Sequence, residues 1–309
     1  MSRIAYVDGT FQPHGSAGLH IEDRATQFAD AVYEVWGVAD GGLLDAGGHF
    51  SRLKRSLAEL RIPMPVERSA LEAVLFEMIR RNRLRNGLIY LQISRGRARR
   101  DHAFPPPNTP PTLVITAKRL DPEAADRRAE SGIAVVTMPD LRWARCDIKS
   151  VSLLPNILAK QAAKEAGAAE AWMVDSDGFI TEGSSTNAWI ITRDGKLVTR
   201  PANHAILNGI TRRTLFSVAE ACGVEIEERA FTVAESLAAR EAFVTSASSY
   251  VLPVVSIDEN PIGNGHPGEI SSRLRTAYKD AARATAQLAP RRQNPTSIAH
   301  RAKRRISRH

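Results

Sequence analysis

Strand-like and helix-like patterns alternate along the sequence, and a polar stretch at 121–131 interrupts them near the middle of the chain. Before this stretch, residues of high β-propensity flank the turn segments Asp8-Gly9 and Asp40-Gly41-Gly42, and two segments of helical period follow. After it, strand and helix patterns alternate again without an internal repeat. This mixed order predicts an α+β fold.

The polar stretch 121–131 is the best candidate for a domain junction, because it contains Pro122 and few residues able to anchor it in a core. A chain of 309 residues with 43% hydrophobic content is long enough for two modest cores. We therefore predict a smaller N-terminal α/β domain at 1–120, an interdomain linker at 121–131 and a larger C-terminal domain at 132–289.

Hydrophobic periodicity and turn residues set the expected bounds of the elements. Between two expected strands, the segment 95–111 is basic and then proline-rich, and a loop too long for a simple hairpin is more often functional than accidental. Helices are predicted at about 50–60, 67–84, 153–167, 211–222 and 268–286, and strands at about 4–7, 10–11, 32–38, 43–44, 88–94, 112–118, 133–137, 242–245 and 251–257.

The formal net charge of +8 is concentrated at the end of the chain. The segment 290–309 carries seven basic residues and no acid, so the rest of the chain is nearly neutral. Its low apolar content predicts a disordered basic tail. A basic run alone supplies only non-specific, salt-sensitive affinity for nucleic acid, so no specific nucleic-acid partner is expected.

Membrane, disulfide and metal-binding classes receive no support from the sequence. No apolar run reaches the roughly 20 residues needed to cross a bilayer, and the first residues lack a secretory apolar stretch, so a cytoplasmic protein is expected. Cys146 and Cys222 provide neither a disulfide framework nor zinc spacing. The histidines show no metal-ligand spacing, so no metal site is predicted.

Lys149 differs from the other seven lysines because it lies between apolar-rich segments, in the sequence from Trp143 to Leu154. The others fall on solvated helix faces, in a turn, beside arginines or in the tail. A lysine amine is the group that forms Schiff bases with carbonyl compounds, and such lysines are activated in partly apolar surroundings. Elimination leaves a second interpretation open, a structural lysine paired with Asp147.

Several ordered motifs resemble one family. Arg-Cys-Asp-Ile-Lys-Ser at 145–150 is followed by Leu-Leu-Pro-Asn at 153–156, Thr-Glu-Gly-Ser-Ser-Thr-Asn at 181–187, Leu-Asn-Gly-Ile-Thr-Arg at 207–212 and Phe-Val-Thr-Ser at 243–246. Over about 6–284 the chain resembles the fold-type IV enzymes that use pyridoxal 5′-phosphate (PLP), and most closely the D-amino-acid aminotransferases. The resemblance implies a two-domain fold with PLP between the domains.

The resemblance also implies roles for individual residues. Lys149 carries the cofactor and serves as the catalytic base. Glu182 faces the pyridine nitrogen, where an ionised acid keeps that nitrogen protonated so that it accepts electrons from the substrate. Outside this motif, Glu182 reads equally as a surface turn residue.

A phosphate site is predicted where 209–211 enters a helix, because free backbone N–H groups at a helix start bind anions. Thr211 adds a hydroxyl donor there. The resemblance adds a phosphate clamp at Arg52, which taken alone reads as a solvated helix arginine. The predicted cofactor-binding residues are Lys149, Arg52, Glu182, Ile210, Thr211, Thr245 and Ser246.

The substrate carboxylate is expected to meet Arg100, since an arginine fork is the preferred receptor for a planar carboxylate. Arg100 and His102 of the long loop, together with Tyr33, resemble the carboxylate trap of D-amino-acid aminotransferases. In that subgroup the loop reaches the partner subunit's active site, which implies a homodimer; a merely basic, flexible loop is the alternative. Ala29 and Ala31 stand where family members often have glycine, and their methyl groups are expected to affect the pocket.

The resulting expectation is transamination between a D-amino acid such as D-alanine and a 2-oxo acid, either 2-oxoglutarate or pyruvate. Three alternatives remain open at this point. The first is a branched-chain or (R)-amine transaminase. The second is an aminodeoxychorismate lyase of the same fold, and the third is an RNA-associated protein that merely keeps a PLP fold.

Overall fold

The computed structural model describes residues 3–289 and contains two β-sheets with helices packed on them. The tail predicted to be disordered, 290–309, lies outside the described residues. Between residues 3 and 289, no helix combines the length and the apolar character that crossing a membrane requires. The mixture of helices and sheets confirms the predicted α+β class.

The first sheet is antiparallel throughout and uses the first 119 residues. Its strands are β1 (Ile4–Val7), β2 (Thr10–Pro13), β3 (Ala31–Ala39), β4 (Gly42–Leu43), β5 (Gly87–Ser94) and β6 (Thr112–Arg119), in the spatial order β2-β1-β6-β5-β3-β4. A short 3₁₀ turn spans His14–Ser16, and the helices are α1 (Arg24–Phe28), α2 (Ala46–Glu59) and α3 (Arg68–Arg81).

The two predicted hairpins of this sheet are confirmed, because β1 pairs with β2 and β3 with β4. Alternation along β5 buries every second side chain against α2 and α3, where Trp36, Leu71 and Ile89 are fully buried in one core. Helix α2 begins four residues before its predicted start at 50. The glycines at 47 and 48 hid this first turn, because glycine is a poor helix former.

The stretch predicted as an interdomain linker is helix α4 (Pro122–Ser131). Asp121 caps its first turn by accepting a hydrogen bond from the Glu123 N–H, and Pro122 suits the first helical position. Asp126 binds both Arg275 and Lys279 of a later helix, so this segment is held against the second part of the chain. The segment does connect the two sheets, and the division into two domains stays a prediction.

The second sheet is mixed and uses β7 (Ile133–Pro139), β8 (Glu170–Val174), β9 (Ile180–Gly183), β10 (Asn187–Ile191), β11 (Leu197–Thr199), β12 (Ile226–Glu228), β13 (Glu241–Ser246), β14 (Tyr250–Ile257) and β15 (Asn260–Pro261). The spatial order is β12-β11-β10-β13-β14-β7-β8-β9, with β15 beside β14. Its helices are α5 (Leu154–Glu165), α6 (Ile210–Ala221), α7 (Val233–Leu237) and α8 (Glu269–Ala284).

The start of β3 in the first sheet contacts the loop between β7 and α5. The Tyr33 N–H donates to the Lys149 carbonyl at 2.9 Å, and the Val151 N–H donates to the Ala31 carbonyl at 3.1 Å. A second junction joins β4 to the end of α8, where Leu43 and Gln287 exchange two backbone hydrogen bonds of 2.9 Å. The segment that carries Lys149 is therefore fixed between the sheets rather than at the protein surface.

Candidate active site

A cavity of about 310 Å³ lies between the two sheets. Both sheets contribute to its wall, with β3 on one side and β9, β10 and β13 on the other. Eight of the ten predicted site residues line it, namely Tyr33, Arg52, Lys149, Glu182, Ile210, Thr211, Thr245 and Ser246. Arg100 and His102 do not.

Lys149 reaches into the cavity beside Tyr33, with its Nζ 4.0 Å from the centre of the tyrosine ring. Its backbone is held by β3 and by Ser56 of α2, whose Oγ accepts from the Lys149 N–H at 3.3 Å. The structural pairing with Asp147 that the sequence left open is wrong, because that carboxylate is bound by Arg55 and by Arg145. Among residues 3–289, the Lys149 amine has neither a hydrogen-bond partner nor an ion-pair partner.

Cys146 lines the same cavity three residues before Lys149. Burial raises the pKa of its thiol to about 11, although the nearby Arg142 acts in the opposite direction. The thiol stays protonated at neutral pH, and protonated thiols are poor nucleophiles. Of the two side chains, the lysine amine is the better candidate nucleophile.

Glu182 lies on β9 with its carboxylate in the cavity wall, and only 5% of the residue is exposed. The surface-turn interpretation is therefore wrong. Arg142 pairs with one carboxylate oxygen, Asn187 Nδ2 donates to the other at 2.9 Å, and the Leu207 N–H donates at 3.1 Å. Burial raises the pKa of this carboxyl above its usual value, while the positive charge of Arg142 opposes that rise.

Arg142 is a functional residue that the sequence analysis missed. Asp140 binds its Nε at 2.9 Å and its Nη2 at 2.7 Å, and the Ala205 carbonyl accepts from Nη2 at 3.0 Å. Burial lowers the pKa of the Arg142 guanidinium, but the carboxylates of Asp140 and Glu182 raise it by more, so this pKa lies above its usual value. The only sequence signal was an arginine two residues after an aspartate, upstream of Lys149, and nothing local connects it to Glu182.

Arg52 extends from α2 and is 9% exposed, so it is not the solvated helix arginine that it resembles in isolation. It forms a two-point ion pair with Glu34 at 2.7 and 2.8 Å, and it donates to the Asn208 carbonyl at 3.2 Å. Burial alone raises the pKa of Glu34, but Arg52 and His49 lower it to about 2. Glu34 therefore stays ionised and fixes the guanidinium.

The start of α6 enters the cavity at Gly209, Ile210 and Thr211. A side chain at position 209 is not tolerated, because a Cβ there meets Asn187 Oδ1 at 2.2 Å. The first N–H groups of a helix have no carbonyl partner within it, and here they lie beside the Arg52 guanidinium. A helix start, a fixed arginine and a threonine hydroxyl are a donor set suited to a phosphate.

Thr245 and Ser246 end β13 at the cavity. The Thr245 hydroxyl oxygen accepts from Trp189 Nε1 at 3.0 Å, which leaves its own hydrogen available to a ligand. Ser246 Oγ lies 2.7 Å from Ser249 Oγ and accepts from the Ser249 N–H at 3.2 Å. These two hydroxyls extend the anion-binding character of the cavity wall.

Arg100 and His102 lie away from the cavity in the exposed loop between β5 and β6. The Arg100 guanidinium stands over the Phe28 ring at 4.8 Å, and the His102 ring is 5.4 Å from the same ring. Ala29 and Ala31 do not line the cavity either. Ala29 ends α1 in a left-handed conformation with φ of 55°, where glycine is the residue that adopts such backbone freely.

The sequence profile of the family described as "Amino-transferase class IV" matches residues 31–257, which include the whole cavity segment from Tyr33 to Ser246. The chain belongs to this family. Among the relatives of this class IV aminotransferase is a D-alanine aminotransferase from Bacillus licheniformis, 38% identical over 89% of this chain and 95% of the relative. A second D-alanine aminotransferase, from Staphylococcus haemolyticus, is 37% identical over 88% of this chain and 95% of the relative.

Solved structures of the class IV aminotransferase fold agree with the architecture. A branched-chain amino acid aminotransferase of T.th, solved with pyridoxamine 5′-phosphate, has a TM-score of 0.83 at 26% identity, covering 91% of this chain and 94% of that one. A branched-chain amino acid aminotransferase from Escherichia coli, at 22% identity, has a TM-score of 0.82 and covers 95% of this chain and 98% of that one. The expected family, the α+β fold of the fold-type IV aminotransferases and the use of PLP are confirmed, while the individual residue roles stay predictions.

Proposed function

We propose that this aminotransferase moves the amino group between a D-amino acid, such as D-alanine, and a 2-oxo acid, 2-oxoglutarate or pyruvate. The observation that carries the proposal is one cavity in which Lys149, Glu182 and the Arg52–Thr211 pair converge from two sheets. The choice of D-amino acids is supported by the D-alanine aminotransferases, which match this chain along 95% of their own length.

Bound PLP supplies an electron sink that stabilises negative charge at the substrate α-carbon. Lys149 would hold the cofactor through Nζ, and once released its amine would take the proton from the substrate α-carbon and deliver it to a carbon of the cofactor. Tyr33, whose ring lies 4.0 Å below Nζ, restricts where that amine travels. Because Lys149 is fixed between the sheets, the same amine can act in both half-reactions, the one that consumes the amino acid and the one that consumes the 2-oxo acid.

Glu182 would keep a proton on the ring nitrogen of a bound cofactor, which requires the carboxyl to be ionised. Burial alone acts against ionisation, and Arg142 and the two N–H donors act for it. Arg52, the start of α6 and the hydroxyls of Thr245 and Ser246 hold the phosphate. The residues present fit PLP, because the cavity offers an amine for its aldehyde, a carboxylate for its ring nitrogen and a set of donors for its phosphate.

The substrate carboxylate is bound by Tyr33 and by Arg100 and His102 of a second copy in a homodimer. This arrangement is proposed because neither loop residue reaches the cavity of its own chain, although the loop is exposed and able to contact another molecule. A cytoplasmic location remains part of the proposal.

The test is an amino-acid panel with the purified protein. D-alanine with 2-oxoglutarate is expected to give pyruvate and glutamate, whereas L-alanine and L-leucine are expected to give little product. Turnover confined to L-leucine, the outcome that the branched-chain structural neighbours favour, overturns the D-specific proposal. Pyruvate release without an amino acceptor identifies a lyase instead, and the Lys149→Ala variant provides the inactive control.

A further inference from the structure

The carboxylate of Asp45 joins three helices behind the cavity. Asp45 precedes α2 as its N-cap, with φ of 49°. Its Oδ1 accepts from Thr214 Oγ1 of α6 at 3.0 Å, and its Oδ2 accepts from the hydroxyl of Tyr278 of α8 at 2.7 Å. One side chain therefore fixes the start of α2 against both α6 and α8.

Tyr278 is 1% exposed, and its ring packs against Tyr250 with the ring centres 5.6 Å apart. Burial first, and then the charge of Asp45, hold the pKa of the phenol well above 10. The hydroxyl therefore keeps its single hydrogen, which the short contact commits to Asp45.

The Tyr278 oxygen lies 3.5 Å from Thr211 Oγ1. This separation is longer than hydroxyl hydrogen bonds prefer, and Thr211 Oγ1 is the acceptor in it, so the contact does not use the Thr211 hydrogen. With the tyrosine hydrogen on Asp45, the Thr211 hydroxyl stays free to donate to an anion at the start of α6.

Arg52 follows Asp45 by seven residues and Gly48 by four. Residues at these spacings lie on one side of a helix, so Asp45, Gly48 and Arg52 share one face of α2. At Gly48 the two helices are in close contact, since a Cβ there would lie 2.9 Å from Ile210 Cγ2. Arg52 then donates to the carbonyl of Asn208, next to the start of α6. The separation of α2 and α6 sets whether Arg52 and Thr211 reach the same ligand atoms.

We propose that Asp45 and Tyr278 are positioning residues for the cofactor phosphate, aligning α2 with α6 so that Arg52 and the first turn of α6 bind one phosphate group. This inference rests on the proposed function, in which that phosphate lies at the start of α6. Neither residue touches the phosphate; both act through the placement of the two helices and the free hydroxyl of Thr211.

The test compares PLP with pyridoxal, which has the same aldehyde and ring but no phosphate. Apo-protein is titrated with each ligand, and the dissociation constants are read from the absorbance of the bound ring. Tyr278→Phe removes one hydrogen bond to a carboxylate and is expected to weaken PLP binding about tenfold. Pyridoxal binding is expected to stay within about twofold, because Lys149 is unaffected.

Tyr250→Phe is the matched control, since it changes the other ring of the same tilted pair and its hydroxyl has no hydrogen-bond partner among residues 3–289. It is expected to leave both constants unchanged. Asp45→Asn is the second variant, because asparagine tolerates the left-handed backbone at this position, and it decides the question if Tyr278→Phe does not fold.

Equal weakening of PLP and pyridoxal binding in Tyr278→Phe and Asp45→Asn overturns the proposal, because it indicates general damage to the cavity. Unchanged PLP binding overturns it as well. Thr211→Val separates this failure from failure of the proposed function. If Thr211→Val selectively weakens PLP binding while the two positioning variants do not, only the positioning role is lost; if Thr211→Val has no effect, the phosphate site itself is misplaced.

Discussion

Arg142→Met is expected to destabilise the protein strongly, and increasingly so at higher pH. The guanidinium is 5% exposed and lies between the carboxylates of Asp140, whose side chain is 11% exposed, and of Glu182, whose side chain is 7% exposed. Removing one partner of a buried ion pair costs about 3–5 kcal/mol in the free energy of unfolding, because the remaining charge has no compensation. Methionine fills most of the space, so the loss reports charge rather than a cavity.

The pH dependence follows from the direction of the pKa of Glu182. Burial already raises that pKa in the native protein, and loss of Arg142 raises it further. A carboxyl with a raised folded pKa binds its proton more tightly when folded, so its contribution to stability is present at low pH and is lost as pH rises through the folded pKa. The deficit of the variant therefore grows as pH rises above the ordinary pKa of a carboxyl, by at most about 1.4 kcal/mol per pH unit for one proton.

Urea unfolding of the apo-protein at about pH 5.5 and pH 8 measures both effects. Arg127→Met is the control, because its guanidinium is 64% exposed and its acidic partners are at 3.5 and 3.7 Å, an arrangement worth about 0–1 kcal/mol. A loss below about 1 kcal/mol at pH 8, or a loss that is larger at pH 5.5, refutes the assigned role of Arg142.

Three further predictions concern other parts of the account. Glu34→Gln leaves Arg52 buried without its carboxylate, so we expect the free energy of unfolding near pH 7, measured in urea, to fall by about 3 kcal/mol. Because the pKa of Glu34 is lowered to about 2, the stability difference between the variant and the native protein should narrow as pH falls from about 4.5 towards 2. Arg100→Ala should raise the KM for D-alanine at least about tenfold while the bound-cofactor absorbance is unchanged, whereas the neighbouring Arg99→Ala should change neither, and equal losses in both variants argue against a carboxylate role. Deleting 290–309 should leave transamination intact and abolish salt-sensitive retention on immobilised RNA; lost transamination contradicts the view of that segment as an appendage.

Local signals were sufficient to predict most elements of the fold. Turn segments located the two hairpins of the first sheet, and the helix predicted at about 211–222 is α6. The prediction for 121–131 was incomplete because polar composition looks the same in a linker and in a solvated helix. The Asp126 contacts to α8 that hold this helix join residues about 150 positions apart, which no local pattern reveals.

Some residues of the site can likewise be recognised from the local sequence, and others cannot. Lys149 and the start of α6 are visible locally, as a lysine among apolar residues and as glycine followed by a helical pattern. Arg142 and Glu34 were missed because their roles depend on contacts with Glu182 and Arg52, which are 40 and 18 residues away. A buried charge is recognisable only once its partner is placed beside it.

The central claim is that the cofactor is bound by Lys149, and reductive trapping tests it most directly. Treating the PLP-loaded protein with borohydride converts the lysine–cofactor bond to a stable amine, and peptide mass spectrometry then locates the added pyridoxyl group. The account predicts that this group is on Lys149 alone among the eight lysines of the chain. Labelling of another lysine, or equal labelling of the Lys149→Ala variant, contradicts it.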